Sequence, residues 1–394
     1  MIICIMVVQN PIFRLPLQIT LQMLAIMTGS VTGQTTEWIY HKTADGLHPD
    51  GNEQQLVWLM NRARANPVAA GLFLAASGDG GLNDGISYFG VNTTLLKSEF
   101  AAITPKPPAA FDRRIYEGSR VHSLDLIARN TQDHNNQTSR VTAAGFSFVS
   151  ARASVFSYAE SATTAHGSLN IDWGPGGTGG MQAGRGHRAA IMSDQAATLT
   201  NVGFAMVPET NPRTTIGPLV FSGAYCSAGG TAAGNFYNRF LTGTVWLDGN
   251  GNNRYDPDEG INGVTVQPDR GPFHAVTGVG GGWAIPITAS DTYNLVFSGS
   301  TLTSPVTRTA LVGTTSVLLD LPYVPAPPAM TLTILPQRNG TLLLSWSGGK
   351  APWRLQETTS LALPWTDWGA PLSVTSLTIP PSGPRRYYRV VGSP

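Results

Sequence analysis

The sequence predicts an α+β chain in which a helix-rich region precedes all-β segments. Apolar residues recur at helical spacing over 52–65 and 112–130, whereas short apolar runs between turn residues recur from residue 200 onward. Helices followed by strands are typical of an α+β arrangement. The 394 residues are enough for several domains, and we expect one mixed domain followed by two all-β sandwich modules.

Composition excludes one large class of partners. Charged residues make up only 12% of the chain and the formal net charge is +1, so no basic surface is expected to hold nucleic acid. Low charge combined with 44 glycines and 28 prolines is instead typical of an extracellular, β-rich protein.

Residues 1–33 predict an export signal. Leu15–Met27 is mostly apolar, and the small residues that follow suit a cleavage site. The run is too short, and too interrupted by Pro16, for a membrane span, and no second candidate span follows. We therefore expect a secreted protein. Cys4 would leave with the signal, so Cys226 is expected as a buried core residue without a disulfide partner.

Two helices are predicted in the first half of the chain. Apolar residues at 56, 57, 59 and 60 define the helix over 52–65, which Asn66-Pro67 ends. Glycine, asparagine and proline clusters predict loop over 72–111. The second helix, 112–130, carries His122 and Asp125, which are interpreted as hydrogen-bonded structural groups.

Polar segments then alternate with short regular elements. A polar stretch carries His134, a short helix is predicted over 140–144, and Glu160 lies among small and aromatic residues. A glycine-rich connection at 170–177 leads to Gly184-Arg185-Gly186-His187. We expect the glycine pair to make a sharp turn that places His187 near the start of a helix over 189–192. Strands are predicted at 200–207 and 218–226.

The order of these segments carries a family resemblance. The segments are Leu56–Pro67, His122–Asp125, His134, Glu160, Gly186–Arg188 and Asn201–Phe204. Together they resemble the CAP superfamily (cysteine-rich secretory, antigen 5 and pathogenesis-related proteins) in its bacterial, disulfide-free form. The resemblance covers roughly residues 50–228.

The resemblance implies a three-layer α-β-α sandwich with a central cleft of two histidines and two acids. Such a cleft can bind a divalent ion such as Zn²⁺. By position, the histidines are His134 and His187 and the first acid is Glu160. Imidazole nitrogen and carboxylate oxygen are suitable zinc ligands. A hydrogen-bonded cluster without metal is the alternative.

The fourth cleft residue departs from the family pattern. The second acid usually follows a tryptophan, but Trp173 is followed by Gly-Pro-Gly-Gly. Asp172 is the nearest acid and is the candidate, with His166 as a further possibility.

A calcium loop is predicted after a strand at 241–247. With Asp248 as position 1, oxygen ligands fall at positions 1, 3, 5, 7, 9 and 12 of a calcium loop. These ligands are the side chains of Asp248, Asn250, Asn252, Asp256 and Glu259 and the carbonyl of Arg254. The carboxylates would repel one another without a cation, so Ca²⁺ is expected at 248–259. A solvated acidic turn is the alternative.

The last two segments are predicted as β-sandwiches. With strands at 261–266, 282–287 and 293–297, residues 239–323 resemble calcium-binding B-repeat and Cna-B-like modules, and without a lysine we expect no isopeptide bond. A proline-rich linker at 324–329 precedes residues 330–394, which resemble a fibronectin type III-like module.

Three functions remain open from the sequence. The first is a secreted binding protein whose CAP-like cleft, with or without metal, holds an extracellular ligand that is lipid-like or a glycan. The second is a metal-dependent hydrolase or protease with Glu160 as the base. The third is a surface adhesin with a vestigial cleft, in which the β-modules bind. No G-x-S-x-G or H-E-x-x-H motif is present, and we favour binding over catalysis.

Overall fold

The computed structural model describes residues 35–324, 329–381, 383 and 385–393, together with the backbone of β1 (Ile5–Val8). The chain divides into two compact units. One runs from Gly29 to Val324, and the other joins Met1–Thr28 with Pro325–Pro394. The predicted export segment lies outside the described residues apart from β1, and the predicted linker lies largely outside them.

All helices of four residues or more in the described part of the chain belong to the first unit. They are α1 (Gly51–Ala65), α2 (Pro67–Ala75), α3 (Gly80–Phe89), α4 (Thr93–Ala101), α5 (Arg113–Arg129), α6 (Gln137–Ala143), α7 (Ala162–Ile171) and α8 (Gly186–Ile191). The helices predicted at 52–65 and 112–130 are confirmed as α1 and α5, and the short one at 140–144 overlaps α6. Among the described residues, none of the helices has both the length and the apolar character that a bilayer crossing needs.

The loop predicted over 72–111 is wrong, because this segment contains α3, α4 and the end of α2. The side chains of Asn66, Asp79 and Asn92 each accept a hydrogen bond from the backbone N–H three residues later. Gly90 ends α3 in the left-handed conformation, at φ 60°. The residue types that predicted loop are therefore the caps between successive short helices.

The strands of the first unit form three sheets. The strands of this unit are β2 (Thr36–Glu37), β3 (Ala110–Phe111), β4 (Phe148–Ala159), β5 (Asn201–Pro208), β6 (Leu219–Ala228), β7 (Phe240–Leu247), β8 (Thr265–Pro268), β9 (Phe273–Val276), β10 (Gly282–Pro286), β11 (Asp291–Ser298), β12 (Val306–Val312), β13 (Val317–Leu318) and β14 (Leu321–Tyr323). The predicted strands at 200–207 and 218–226 are confirmed as β5 and β6.

A sheet of order β3-β5-β6-β4 lies at the centre of the helical region. Alternate residues of β6 enter two different cores. Phe221 and Tyr225 pack with residues of α1 and α7, whereas Ala224 and Cys226 pack with residues of α5 and α6. Helices therefore cover both faces of β6, and the chain has the predicted α+β character. Cys226 is buried in the core as predicted, and its burial raises the pKa of the thiol.

The remaining strands of this unit form a β-sandwich. One sheet has the order β10-β7-β13, with β14 also on β7, and the other has the order β12-β11-β8-β9-β2. Strand β2 precedes the helical region in sequence but pairs with β9. Strand β7 is buried on both faces, because Thr244 and Trp246 on its outer face contact α1. The segments at 50–228 and 239–323 thus lie in one compact unit.

The second unit is a smaller β structure. Its further strands are β15 (Thr331–Pro336), β16 (Leu342–Ser347), β17 (Arg354–Thr358), β18 (Thr366–Asp367), β19 (Ser376–Ile379) and β20 (Arg385–Val391). They form sheets of order β15-β16-β19 and β1-β20-β17-β18. Leu344, Leu355 and Tyr388 are at the centre of its core.

Candidate functional site

The turn before His187 differs from the predicted glycine pair. Gly184 has φ 73° and Arg185 has φ 49°, whereas Gly186 has helical angles and begins α8. Left-handed φ is unfavourable for arginine. The Arg185 guanidinium is held by the Glu99 carboxylate at 2.9 Å and by the Met181 carbonyl at 3.0 Å, which stabilises the turn.

Asp172 orients His187. Asp172 ends α7 in the left-handed conformation and is 1% exposed. Its Oδ2 accepts the backbone N–H of His187 at 3.0 Å, and its Oδ1 lies 2.8 Å from Nδ1 of the ring. A carboxylate accepts, so Nδ1 carries the proton and Nε2 of the neutral ring presents a lone pair.

Gln137 orients His134. The Gln137 side chain is buried, and its Nε2 donates to the carbonyls of Ser154, at 2.9 Å, and Gly223, at 3.3 Å. Its Oε1 therefore faces His134, where it lies 2.8 Å from Nδ1. An amide oxygen can only accept, so His134 also donates from Nδ1 and keeps the Nε2 lone pair free.

The two imidazoles lie side by side. Their ring centroids are 6.2 Å apart and their planes differ by 22°. His134 is exposed and the His187 side chain is 26% exposed, so solvent reaches both rings. Neither Nε2 has a hydrogen-bond partner in the described part of the chain. Each ring thus offers an Nε2 backed by an oxygen acceptor on Nδ1, which is the usual state of a metal-ligating histidine.

His122 and Asp125 are structural, as predicted, and they fix the segment that carries His134. Nε2 of His122 bonds to the carbonyl of Asp133 at 2.9 Å, and Arg129 pairs with the carboxylates of both Asp125 and Asp133. Burial lowers the pKa of His122. His134 directly follows this anchored residue, so its backbone is held against the end of α5.

Glu160 and Asp172 lie at opposite ends of α7, and Glu160 does not form a group of ligand atoms within 4.8 Å with His134 and His187. It follows β4 at the start of α7, whereas Asp172 ends the same helix. A helix of ten residues spans about 15 Å. Glu160 is exposed, has no hydrogen bond or ion pair among the described residues, and packs against Gly81 of α3. His166 faces the apolar core instead and is 5% exposed, beside Leu169 and Phe204.

A row of aromatic rings passes Asp172, because its middle ring is Trp173, the next residue in the sequence. Successive ring centroids are 4.9 to 6.3 Å apart along Tyr88, Phe89, Trp173, Phe156 and Tyr158. The two end tyrosines are exposed, Tyr88 by 84% and Tyr158 by 48%. No local sequence pattern predicts this row, because its members come from α3, β4 and the 172–182 loop.

A second group of ligating side chains was also missed. His48, Asp50 and Glu53 lie within 4.8 Å of one another at the start of α1. Asp50 and Glu53 form a capping box, and Glu53 Oε2 also lies 2.7 Å from His48 Nδ1. The Glu53 interaction raises the pKa of His48, and burial raises the pKa of Glu53. The D-x-x-E pattern could have predicted this helix start.

The predicted calcium loop closes on itself. Nδ2 of Asn250 and of Asn252 donate to the same oxygen of Asp256, at 2.7 and 2.8 Å. Glu259 reaches back to the N–H of Gly249 at 3.0 Å, and Asp248 accepts the N–H of Asn252 at 3.0 Å. These hydrogen bonds close the loop, but the carboxylates of Asp248, Asp256 and Glu259 do not form a group of ligand atoms within 4.8 Å of one another. Asn253 adopts φ 56° at the position where glycine is usual.

Comparisons with known proteins leave the family open. No protein-family model matches the sequence, and no curated protein matches it either. One similar solved structure is a DUF3823 family protein from Bacteroides ovatus, 16% identical, with 39% of this chain and 89% of that chain covered at a TM-score of 0.18. Another is a candidate carbohydrate-binding protein from Bacteroides uniformis, 9% identical, with 40% and 80% covered at a TM-score of 0.18. TM-scores this low carry no argument about fold or ligand.

Proposed function

We propose that this chain is a secreted binding protein whose helical region is an α-β-α sandwich of CAP type. In this proposal His134 and His187 hold a divalent ion such as Zn²⁺, and a glycan binds beside it. The observation that carries the proposal is the matched pair of imidazoles, each with Nδ1 committed to an oxygen acceptor and Nε2 free.

The donor set fits a zinc-type ion. Neutral imidazole nitrogen is a preferred zinc ligand, and an oxygen acceptor behind the ring is the usual support for a ligating histidine. Asp172 and Gln137 supply that support. When bound, the ion would offer open coordination positions to an oxygen of the ligand.

The aromatic row favours a glycan. Sugar rings have apolar C–H faces that stack on aromatic side chains, while their hydroxyls need polar partners. The exposed tyrosines at the ends of the row offer both a ring face and a hydroxyl. Asp172 is followed in the sequence by Trp173, the buried middle ring of the row, so the row links the proposed ion site to the two exposed tyrosines.

The position of Glu160 favours binding over hydrolysis. A general base must lie within hydrogen-bond reach of the proton that it removes, directly or through one water. Glu160 is at the opposite end of α7 from the residue that orients His187. The hydrolase candidate would need this carboxylate beside the ion.

We also propose Ca²⁺ as a structural ion of the 248–259 loop. What supports this proposal is the spacing of oxygen-bearing residues in a largely exposed loop, including the carboxylates of Asp248, Asp256 and Glu259, because calcium takes oxygen ligands at these intervals. Calcium takes oxygen ligands and zinc favours nitrogen here, so the two ions can be measured separately.

Zinc titration calorimetry on the metal-stripped full chain tests the ion site. We expect one zinc site in the wild type and its loss in both His134→Ala and His187→Ala, with His274→Ala as a control that keeps it. A zinc site that survives the double variant overturns the ion proposal.

Glycan-array binding tests the ligand. We expect binding that zinc enhances and that Tyr88→Ala weakens, because this exposed ring ends the row. If the protein binds lipid vesicles and no glycan, the glycan proposal is wrong and a lipid-like ligand takes its place. Binding that persists without zinc and in the double histidine variant would favour the adhesin.

A further inference from the structure

A single carboxylate of α4 binds both arginines that flank His187 in the sequence. The Glu99 carboxylate accepts a hydrogen bond from Nε of Arg185 at 3.1 Å on Oε2, and another from Nη2 of Arg185 at 2.9 Å on Oε1. Oε2 also accepts a hydrogen bond from Nη1 of Arg188. Two arginines at the start of α8 are thus joined to one residue of a helix that carries none of the candidate ion ligands.

Arg188 connects this carboxylate to the end of α7. The last carbonyls of a helix lack partners within the helix. Nε of Arg188 donates to the carbonyl of Asn170 at 2.7 Å, and Nη2 donates to that of Ile171 at 2.8 Å. Asp172 is the next residue, so Arg188 fixes the backbone position from which the Asp172 carboxylate reaches His187.

Arg185 holds the turn at the other side of the pair. It has φ 49° directly before α8, and its guanidinium donates to the carbonyl of Met181 at 3.0 Å and to that of Thr178 at 3.1 Å. These bonds tie the glycine-rich loop to the turn before α8. The backbone just before His187 is therefore held, like the end of α7, by an arginine that Glu99 binds.

Arg188 depends on Glu99 to balance its charge. Arg188 is 4% exposed, and the carboxylate with which it forms an ion pair in the described part of the chain is that of Glu99. A buried guanidinium without its counterion is strongly unfavourable. Removal of the Glu99 carboxylate therefore favours a position of Arg188 in solvent, where it no longer binds the carbonyls of α7.

We propose that Glu99 is a positioning residue of the ion site, acting through the two arginines on the Asp172–His187 pair. The inference rests on the ion proposal above. The side-chain hydrogen bonds of Glu99 among the described residues go to the arginines and to neither histidine, so its effect on the ion is indirect. Without this carboxylate, Asp172 no longer holds the Nδ1 proton of His187, and the neutral ring exchanges between its two tautomers.

Nitrogen-15 NMR of the imidazoles in the metal-free full chain tests this role, at about pH 8.5, where histidines are ordinarily neutral. In the wild type we expect His187 to show the shifts of a ring protonated at Nδ1. In Glu99→Ala we expect these shifts to move toward the average of the two tautomers. His134 is oriented by Gln137 and should keep its shifts. Glu117→Ala, at an exposed carboxylate of α5, is the matched control and should change neither ring.

Zinc titration calorimetry on the same variants connects the role to the ion. We expect the zinc affinity to fall at least about tenfold in Glu99→Ala and to stay within about twofold of the wild type in Glu117→Ala. Glu99→Gln keeps the side-chain volume, but its amide accepts at only one end, so its affinity should lie between these values. This variant replaces Glu99→Ala should the alanine variant fail to fold.

The two measurements separate the positioning role from the ion proposal. If zinc binds and Glu99→Ala leaves the His187 shifts or the affinity unchanged, the positioning role is wrong and the ion proposal stands. If both rings lose their shifts in Glu99→Ala, the effect is a general loss of structure, which also contradicts the role. If the wild type binds no zinc, the ion proposal falls, and the His187 shifts of the metal-free chain still decide whether Glu99 fixes the pair.

Discussion

Asp172 holds His187 by two hydrogen bonds from a single carboxylate, one to the backbone N–H at 3.0 Å and one to Nδ1 of the ring at 2.8 Å. The pair joins the end of α7 to the start of α8 across a glycine-rich loop. The orientation of the imidazole is thus set by a residue of a different helix, and the free Nε2 points away from that helix end.

Asp172→Asn tests this orientation. We expect zinc affinity to fall about 10- to 100-fold with unchanged circular dichroism, because an amide can accept at only one end and loses one of the two bonds. Asparagine tolerates the left-handed φ of 59° at this position, so the backbone is preserved. Zinc titration calorimetry measures the change, with Asp194→Asn, at an exposed carboxylate, as the control. Equal affinities would contradict the role of Asp172.

Two glycines of the same region should respond in opposite ways to alanine. A Cβ on Gly203 of β5 would lie 2.1 Å from the backbone nitrogen of Tyr116, so Gly203→Ala should force α5 off the sheet and destabilise the fold by about 1–3 kcal/mol. Gly186 has helical angles and open space around it, so Gly186→Ala should stabilise by about 0.4–1 kcal/mol. Urea unfolding followed by tryptophan fluorescence compares them, and shifts of the same sign would contradict the prediction.

Arg64→Met should destabilise the helical region. Arg64 is 0% exposed, and it donates from Nε to the carbonyl of Ile191 at 2.6 Å and from Nη1 to that of Leu199 at 2.7 Å. Its burial lowers the pKa of the guanidinium to about 10, which still leaves it charged at neutral pH. Methionine leaves both carbonyls unpaired, at a cost of about 2–4 kcal/mol in urea unfolding. Arg120→Met on the exposed face of α5 should change the free energy of unfolding by less than about 0.5 kcal/mol.

His166 should make the protein less stable in acid. Burial lowers the pKa of His166 from the ordinary 6.5 to about 3. Between these pH values, His166 is protonated in the unfolded chain but stays neutral in the folded state. The free energy of unfolding therefore falls as pH falls through this window, by up to about 1.4 kcal/mol per pH unit from this residue.

The variant His166→Gln isolates that contribution. Its free energy of unfolding, measured in urea at several pH values, should fall less steeply than that of the wild type between pH 6 and 4. Above pH 7 the two curves should run parallel, whatever the offset from repacking. Equal slopes between pH 6 and 4 would show that His166 is protonated without cost in the folded state.

The regular elements were predictable where apolar spacing was long and undisturbed. Helices α1 and α5 and strands β5, β6 and β7 were each predicted to within two residues at either end. The failure was at 72–111, where Asp79 and Asn92 cap the short helices α3 and α4. Capping residues and turn residues are the same types, because both use a short polar side chain to satisfy a free backbone N–H. Because these short helices lack a long apolar stripe, no further sequence signal distinguished a helix cap from a turn.

Local pattern alone predicted a calcium loop at 248–259, because its predicted ligands follow one another closely in the sequence. The sequence also indicated His134, His187, Glu160 and Asp172 as candidate site residues. It did not indicate which side chain accepts a hydrogen bond from Nδ1 of each histidine. Only the tertiary structure decided that Asp172 and Gln137 orient the imidazoles and that Arg254 leaves its loop to stack on Phe73. These contacts join different elements, and the packing of helices on the sheet, which no local spacing encodes, sets their distances.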